Sequence, residues 1–127
     1  MTATTEELAR RVCERWHELS PEDFRAVFAE DCIYQNMPIP GMKRGPEEIA
    51  STLATLGDEI DVKLQVMNLV ATPECVMVDR QDSFKRQDGS GSMELPVVGV
   101  FEGANGKLTV WRDQFHFDPT FWETGGE

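Results

Sequence analysis

Apolar residues recur every three or four positions near the start of the chain, as they do along one face of a helix. The first such stripe consists of Leu8, Val12, Trp16 and Leu19. Thr4 followed by Glu7 resembles a capping box, which places a helix start at this point. Ser20 and Pro21 then have the character of an N-cap and a first helical residue. The pattern predicts one amphipathic helix followed by a second, short helix with Phe24, Val27 and Phe28 on its buried side.

A third helix interrupts the strands that follow. Pro46 is suited to open this helix and Gly57 to end it. From Ile60 the apolar period changes to two, and it slips near Asn68, as a bulge would make it do. We therefore predict strands at 32–38, from 60 through this bulge, and at 75–86, 93–102 and 108–117, with the aromatic pair Phe121 and Trp122 in the tail.

The order of these elements predicts the fold class. Helices come first and long antiparallel strands come last, which is an α+β arrangement. Residues 1–127 contain no repeat and no linker, so a single domain is expected. A long, bulged sheet curls, and helices packed on its edge would leave a pocket in the concave face.

Alternate side chains of a strand share a face, and this places charges among apolar neighbours. Arg80 and Asp82 have the same parity as Val76, Val78 and Phe84. On the last strand one face carries Thr109, Trp111, Asp113, Phe115 and Phe117, and on the first it carries Cys32, Tyr34 and Asn36. Two aspartates sharing one arginine in a dry pocket would titrate as a unit, with one protonated and one ionised. A buried pair that only ties strands together is the equally open alternative.

Bulk charge narrows the class of partner. The net charge of −11 over 127 residues disfavours nucleic acid and anionic lipid, so a neutral or cationic small molecule is expected. The start of the chain lacks the apolar core of a signal peptide, and no apolar run approaches transmembrane length. Cys13, Cys32 and Cys75 form an odd set without metal or redox spacing, which predicts buried free thiols and a cytoplasmic protein.

Several kinds of chemistry find no motif. His17 and His116 have no metal-ligand spacing, so no metal is expected. Gly89-Ser90-Gly91 does not match a nucleophile elbow, and a glycine-rich phosphate loop is absent from the sequence. Any reaction is therefore predicted to be proton chemistry without a cofactor.

Four short stretches resemble the limonene-1,2-epoxide hydrolase family in order and spacing. They are Tyr34-Gln35-Asn36-Met37-Pro38, Arg80-Gln81-Asp82, Gly99-Val100-Phe101 and Trp111-Arg112-Asp113. The resemblance extends from the first helix to the last strand and is weakest in the loop 38–46 and the C-terminal tail. It implies the cone fold of nuclear transport factor two and ketosteroid isomerase, which is also called cystatin-like. It also implies cofactor-independent hydrolysis of a small apolar epoxide, limonene-oxide-like or cyclic, to the vicinal diol in one step.

The resemblance implies a role for each polar residue. Asp113 would be the general base that deprotonates water, and Tyr34 and Asn36 would hold that water. Asp82, protonated, would donate a proton to the epoxide oxygen, and Arg80 would orient both carboxylates. Protonating the poor alkoxide leaving group while water attacks carbon lowers both barriers in one step. The expected apolar walls for the substrate are Val78, Phe84, Trp111 and Phe115.

Two other functions remain open at this point. One is an isomerase or polyketide cyclase that moves a proton beside a carbonyl, although a cation between two acids does not suit enolisation. The other is a binding module without catalysis, which would be expected to have an incomplete polar set. By analogy with related cones, a homodimer formed through the convex side of the sheet is expected.

Overall fold

The computed structural model describes residues 2–116 and confirms the α+β class. In this part of the chain three helices, α1 to α3, span Thr5–Arg15, Pro21–Val27 and Gly45–Glu59, and a 3₁₀ turn spans Trp16–Glu18. Six strands, β1 to β6, span Phe28–Asn36, Lys43–Arg44, Ile60–Ala71, Cys75–Arg86, Ser92–Ala104 and Lys107–Gln114. Within residues 2–116 they form one sheet in the order β2-β1-β6-β5-β4-β3, in which β1 and β6 pair in parallel and the other neighbours pair antiparallel.

Side-chain caps explain where the first two helices begin. The Thr4 hydroxyl accepts a hydrogen bond from the Glu7 amide at 3.1 Å. Ser20 and Asp23 form a reciprocal capping box, with hydrogen bonds of 3.1 and 3.0 Å. These bonds satisfy amides that the first turn leaves without an intrahelical partner. The predicted starts of both helices are confirmed.

The end of α1 differs from the prediction of one helix through Leu19. The helix stops at Arg15, whose backbone leaves the helical region at φ −136°, and the next three residues form the 3₁₀ turn. Trp16 still packs into the core, with 8% of its surface exposed. The tighter turn keeps this large apolar side chain buried while the chain turns toward α2.

Gly57 does not end α3, so the predicted stop is wrong. The helix starts at Gly45, next to the expected Pro46, and continues past Gly57 to Glu59. There Ile60 becomes extended at φ −130° while its amide still bonds to the Leu56 carbonyl. The direct passage from helix into β3, rather than a glycine, determines where α3 stops.

The strand predictions hold in the centre of the sheet and fail at its ends. β4 has the predicted bounds, and the register between β3 and β4 shifts between Val66 and Asn68, close to the predicted bulge. β1 begins at Phe28, four residues early, so Phe28 belongs to a strand rather than to α2. β6 ends at Gln114, because its partner β1 has already ended opposite Asp113. The predicted end of this strand at Phe117 and the pair Phe121–Trp122 lie outside the described residues.

One face of the sheet packs against the helices and forms the core. Leu8, Ala9 and Val12 of α1 belong to the same buried cluster as Val76 and Val78 of β4. Along β4 the even positions are buried and the odd positions are more exposed, which confirms the predicted parity. The thiols of Cys13 and Cys32 are buried as expected, whereas Cys75 is half-buried. All three cysteines are free.

Within residues 2–116, no helix has both the length and the apolar character needed to cross a membrane.

The interior position of Gly57 generates a stability prediction. Its added Cβ would lie 3.6 Å from the Trp16 ring, an ordinary contact, and its backbone is helical. Gly57→Ala should therefore stabilise the protein, by about 0.5–1 kcal/mol, since glycine has the greater unfolded-state entropy. Urea denaturation measures the change. Gly89→Ala is the control: a Cβ there would meet nothing within 4 Å, but the backbone has φ +81°, so this change should destabilise. Destabilisation by Gly57→Ala would contradict this prediction.

Candidate active site

A buried arginine bridges two buried aspartates on the inner face of the sheet. Arg80 donates from Nε and Nη2 to Asp82 at 3.0 and 2.8 Å. It also donates from Nη1 and Nη2 to Asp113 at 3.0 and 2.9 Å. The three residues are 1%, 3% and 4% exposed, respectively. Both carboxylates are therefore held by two-pronged contacts from one rigid guanidinium.

Strand geometry brings the three residues together. Arg80 and Asp82 are two positions apart on β4 and so share its inner face. Asp113 lies on β6, which is separated from β4 by β5. The contact between Arg80 and Asp113 thus passes over the backbone of β5. The predicted grouping of these three side chains is what the structure shows.

The two acids, Asp82 and Asp113, have different surroundings. Burial raises the pKa of the Asp82 carboxyl, although its hydrogen bonds to Arg80 oppose the rise. Burial alone would lower the pKa of Arg80, but the two carboxylates raise it well above its usual range. Asp113 accepts a further hydrogen bond at 2.8 Å from the Trp111 indole N–H. Asp113 thus accepts from three donor atoms, whereas Asp82 accepts from two, both of them on Arg80.

Tyr34 and Asn36 complete the polar side of the site from β1. Asn36 is paired with Asp113, and Tyr34 with Trp111, in the parallel register of β1 and β6. The Asn36 amide donates to the Tyr34 hydroxyl at 3.3 Å, and the Tyr34 ring stacks on Trp111 at 4.2 Å. Burial raises the pKa of Tyr34, so its hydroxyl stays protonated. All five predicted polar residues thus lie in one region.

Two contacts at the site are not predicted by the sequence pattern. Trp111 was expected only as an apolar wall, yet its indole N–H donates to Asp113. Cys13 was considered an ordinary core thiol, yet it lies beside the guanidinium of Arg80. Burial raises the pKa of this thiol to about 12, so it stays protonated there. The parity of β6 puts Trp111 and Asp113 on one face and hints at the first contact, but no sequence signal points to the second.

A cavity of about 330 Å³ opens onto this cluster. That volume lies at the lower end of the range of roughly 300–1,000 Å³ for small-molecule sites. The lining includes all five polar residues together with Phe84, Trp111 and Phe115. Its other walls are Trp16, Ile39, Thr52, Leu53, Leu56, Val62, Leu64, Leu95 and Val97.

Val78 is the predicted wall residue that the structure places elsewhere. It is fully buried in the core cluster and does not line the cavity. It shares a face with Arg80, but α1 packs against that end of the sheet and covers it. Parity identifies the face of a strand and cannot show which part of that face a helix occupies.

The described residues offer no group of three or more metal-ligating side chains. His17 and His116 are both exposed, and neither lines the main cavity. The donors at the cavity include an arginine, a tyrosine, an indole and an amide beside two acids, which suits proton transfer and hydrogen bonding.

Comparison with known proteins supports the resemblance in the sequence. The model of the limonene-1,2-epoxide hydrolase catalytic domain matches residues 8–124. Epoxide hydrolase EphG of Mycobacterium tuberculosis is 29% identical over 100 residues, which cover 76% of this chain and 65% of that protein. The match thus spans less than two thirds of that relative.

Solved structures agree on the fold. An LEH-like epoxide hydrolase of M. tuberculosis superposes with a TM-score of 0.72 at 26% identity, covering 91% of this chain and 82% of that one. A putative SnoaL-like polyketide cyclase from Jannaschia sp. CCS1 gives a TM-score of 0.77 at 16% identity, covering 94% and 89% of the two chains. The second likeness concerns architecture alone. With a family match over nearly its whole length, the chain belongs to the limonene-1,2-epoxide hydrolase family.

Proposed function

We propose that this protein hydrolyses a small apolar epoxide to the vicinal diol by one-step, acid- and base-assisted attack of water. The observation that carries the proposal is the buried Arg80 between Asp82 and Asp113, at the polar end of an otherwise apolar cavity. Such a cluster holds one proton between two acids, so it can donate at one carboxyl while it accepts at the other. Family membership supports the same reaction.

Asp113 is proposed as the general base. Its carboxylate accepts three hydrogen bonds, from Nη1 and Nη2 of Arg80 and from the Trp111 indole. Asn36 lies opposite it on the neighbouring strand, with Tyr34 hydrogen-bonded to Asn36. These two side chains are suited to hold a water beside the carboxylate, so that its proton passes to Asp113 as its oxygen attacks carbon.

Asp82 is proposed as the general acid. Burial raises the pKa of its carboxyl, which favours the protonated form that an acid requires. As the epoxide C–O bond breaks, the Asp82 proton goes to the epoxide oxygen, and the new C–O bond comes from water. The turnover leaves Asp113 protonated and Asp82 ionised, so one proton must return before the next cycle.

The cavity supports an apolar substrate. Apart from the five polar residues, its lining is aromatic or aliphatic except for Thr52, whose hydroxyl donates to the Glu48 carbonyl at 2.8 Å. The walls thus offer little to hydroxyl or charged substituents, which would lose their hydration on entry. A limonene-oxide-like or cyclic epoxide fits this chemistry.

The isomerase or cyclase alternative has less support. The architecture is shared with a putative polyketide cyclase, but enolisation requires one base and a neutral donor. A guanidinium that forks to both acids does not match that requirement. A binding module without catalysis would not need all five polar residues at one cavity.

We also propose that the protein forms a homodimer through the outer face of the sheet. Exposed apolar side chains cluster there: Val70 is paired with Met77 on the neighbouring strand, and they are 70% and 50% exposed. Val98 of β5 lies nearby on the same face and is 43% exposed. A second copy would remove this patch from water on both chains.

Loss of either acid should nearly abolish diol formation. Asp82→Asn removes the proton donor and Asp113→Asn removes the base, and each should lower kcat by about 10²–10⁴-fold. Activity of the wild-type enzyme should also fall as pH rises through the raised pKa of Asp82, because the acid is then deprotonated. Gas chromatography of diols from a panel of cyclic epoxides measures this, with an unsaturated ketosteroid as the control substrate. Near-wild-type turnover by either variant would contradict the assignment.

The first diol formed in oxygen-18 water should carry the heavy isotope. With enzyme in excess over substrate, direct attack delivers solvent oxygen during the first turnover. A covalent route would instead transfer an unlabelled carboxylate oxygen and leave the label on the enzyme. Mass spectrometry of the diol and of the peptide containing Asp113 separates the two. Unlabelled first-turnover diol with labelled Asp113 would rule out the one-step mechanism.

A charge on the outer sheet face should prevent dimer formation. Met77→Glu places a carboxylate in the apolar patch, so the variant should sediment as a monomer at concentrations where the wild-type protein is a dimer. Ser51→Glu, on the exposed side of α3, is the control and should leave the dimer intact. A wild-type protein that is monomeric at micromolar concentration, or a Met77→Glu dimer, would refute the proposal.

A further inference from the structure

The ion pair between Arg80 and Asp113 crosses an intervening strand. β4 and β6 lie on either side of β5, so their backbones are separated by two strand spacings, roughly 10 Å. Both side chains must bend over β5 to meet at 2.9–3.0 Å. The residue of β5 at this crossing is Gly99, which is paired with Val78 on β4 and with Asp113 on β6.

No side chain fits at position 99 while the pair is formed. A Cβ built on Gly99 would lie 2.7 Å from Nη1 of Arg80 and 2.9 Å from Oδ1 of Asp113. Both distances are shorter than real Cβ contacts. Neither atom is free to move away, because Nη1 donates a hydrogen bond to Oδ1, and Oδ1 also accepts one from the Trp111 indole.

The reason for glycine here is space rather than backbone conformation. Gly99 is extended within β5 and does not have the positive φ that favours glycine. On the same face, its neighbours two positions away are Val97 and Phe101, which are 3% and 0% exposed. The inner face of β5 therefore has a notch between two buried side chains, and the guanidinium edge and one carboxylate oxygen occupy it.

We propose that Gly99 is a positioning residue of the active site, whose missing side chain lets Arg80 reach Asp113 across β5. Its catalytic meaning rests on the proposed epoxide hydrolysis. A methyl group at this position pushes Nη1 and Oδ1 apart and tilts the Asp113 carboxylate away from the Trp111 indole. The base then no longer faces the water that Asn36 and Tyr34 hold.

Gly99→Ala should lower kcat on the order of 10²-fold while the far-ultraviolet circular dichroism stays native, since about 1 Å of misplacement can have that effect. The pH dependence of kcat should also shift, because Arg80 then no longer holds its hydrogen bonds to both carboxylates in the same geometry. A second readout needs no turnover. The Trp111 indole N–H resonance in NMR, assigned with Trp111→Phe, should shift in Gly99→Ala because its bond to Asp113 is disturbed.

Gly103→Ala is the matched control on the same strand and the same face. A Cβ there would lie 2.6 Å from Oγ1 of Thr5, away from the charged cluster. This variant should lower the Tm but keep the wild-type pH profile, kcat and indole resonance. A general sensitivity of β5 to added methyl groups would instead affect both variants alike.

The outcomes separate this proposal from the proposed function. A Gly99→Ala variant with wild-type kcat, pH profile and indole resonance overturns the role of Gly99 even if the enzyme hydrolyses epoxides. If the wild-type protein hydrolyses none of the epoxides tested, the proposed epoxide hydrolysis is contradicted. The Trp111 indole resonance of Gly99→Ala still tests whether Gly99 positions Asp113. If Gly99→Ala does not fold, its combination with Arg80→Lys and Asp113→Ala decides, since these two changes remove both Nη1 and Oδ1. Folding as good as that of the Arg80→Lys and Asp113→Ala variant alone supports the proposal, and no recovery overturns it.

Discussion

The guanidinium of Arg80, placed between two buried carboxylates, is the interaction on which the rest of the site depends. Removing a charge from water without a partner costs several kcal/mol, and here an arginine and two acids are buried together. Four hydrogen bonds from one rigid group satisfy both acids. Burial is the first cause of the raised pKa of Asp82; the hydrogen bonds and charge of Arg80 oppose it, and the charge of Asp113 adds to it.

This cluster places strict demands on the sheet. Arg80 and Asp113 come from strands that are not neighbours, so the strand between them must leave room for their contact, and β5 does so at Gly99. The same face must also be shielded from bulk water, and the helices shield it by packing over it. Cys13 of α1 lies against the guanidinium, and Leu53 of α3 contributes to the cavity wall. The helices, the strand order and Gly99 therefore all contribute to the environment of this one ion cluster.

The single parallel pairing of the sheet has a separate role. β1 runs beside β6 in the same direction, and this register sets Asn36 opposite Asp113 and Tyr34 opposite Trp111. Two polar side chains suited to hold a nucleophilic water, those of Asn36 and Tyr34, therefore lie next to the proposed base. The apolar walls come mainly from α3, β3 and the far parts of β4 and β5. Most of the apolar wall thus comes from elements other than the strands that carry the five polar residues.

The sequence by itself determined the alternation that buries Arg80, Asp82 and Asp113 on inner faces, the bounds of β4 and the caps of the first two helices. These are local properties: side-chain direction follows from the strand repeat, and a cap requires residues within three positions. Only the tertiary structure decided that α3 continues past Gly57, that α1 covers Val78, and that the Trp111 indole and the notch at Gly99 serve Asp113. Each of these depends on which elements become neighbours in space. Which elements pack together depends on residues far apart in the chain, so a local pattern does not predict it.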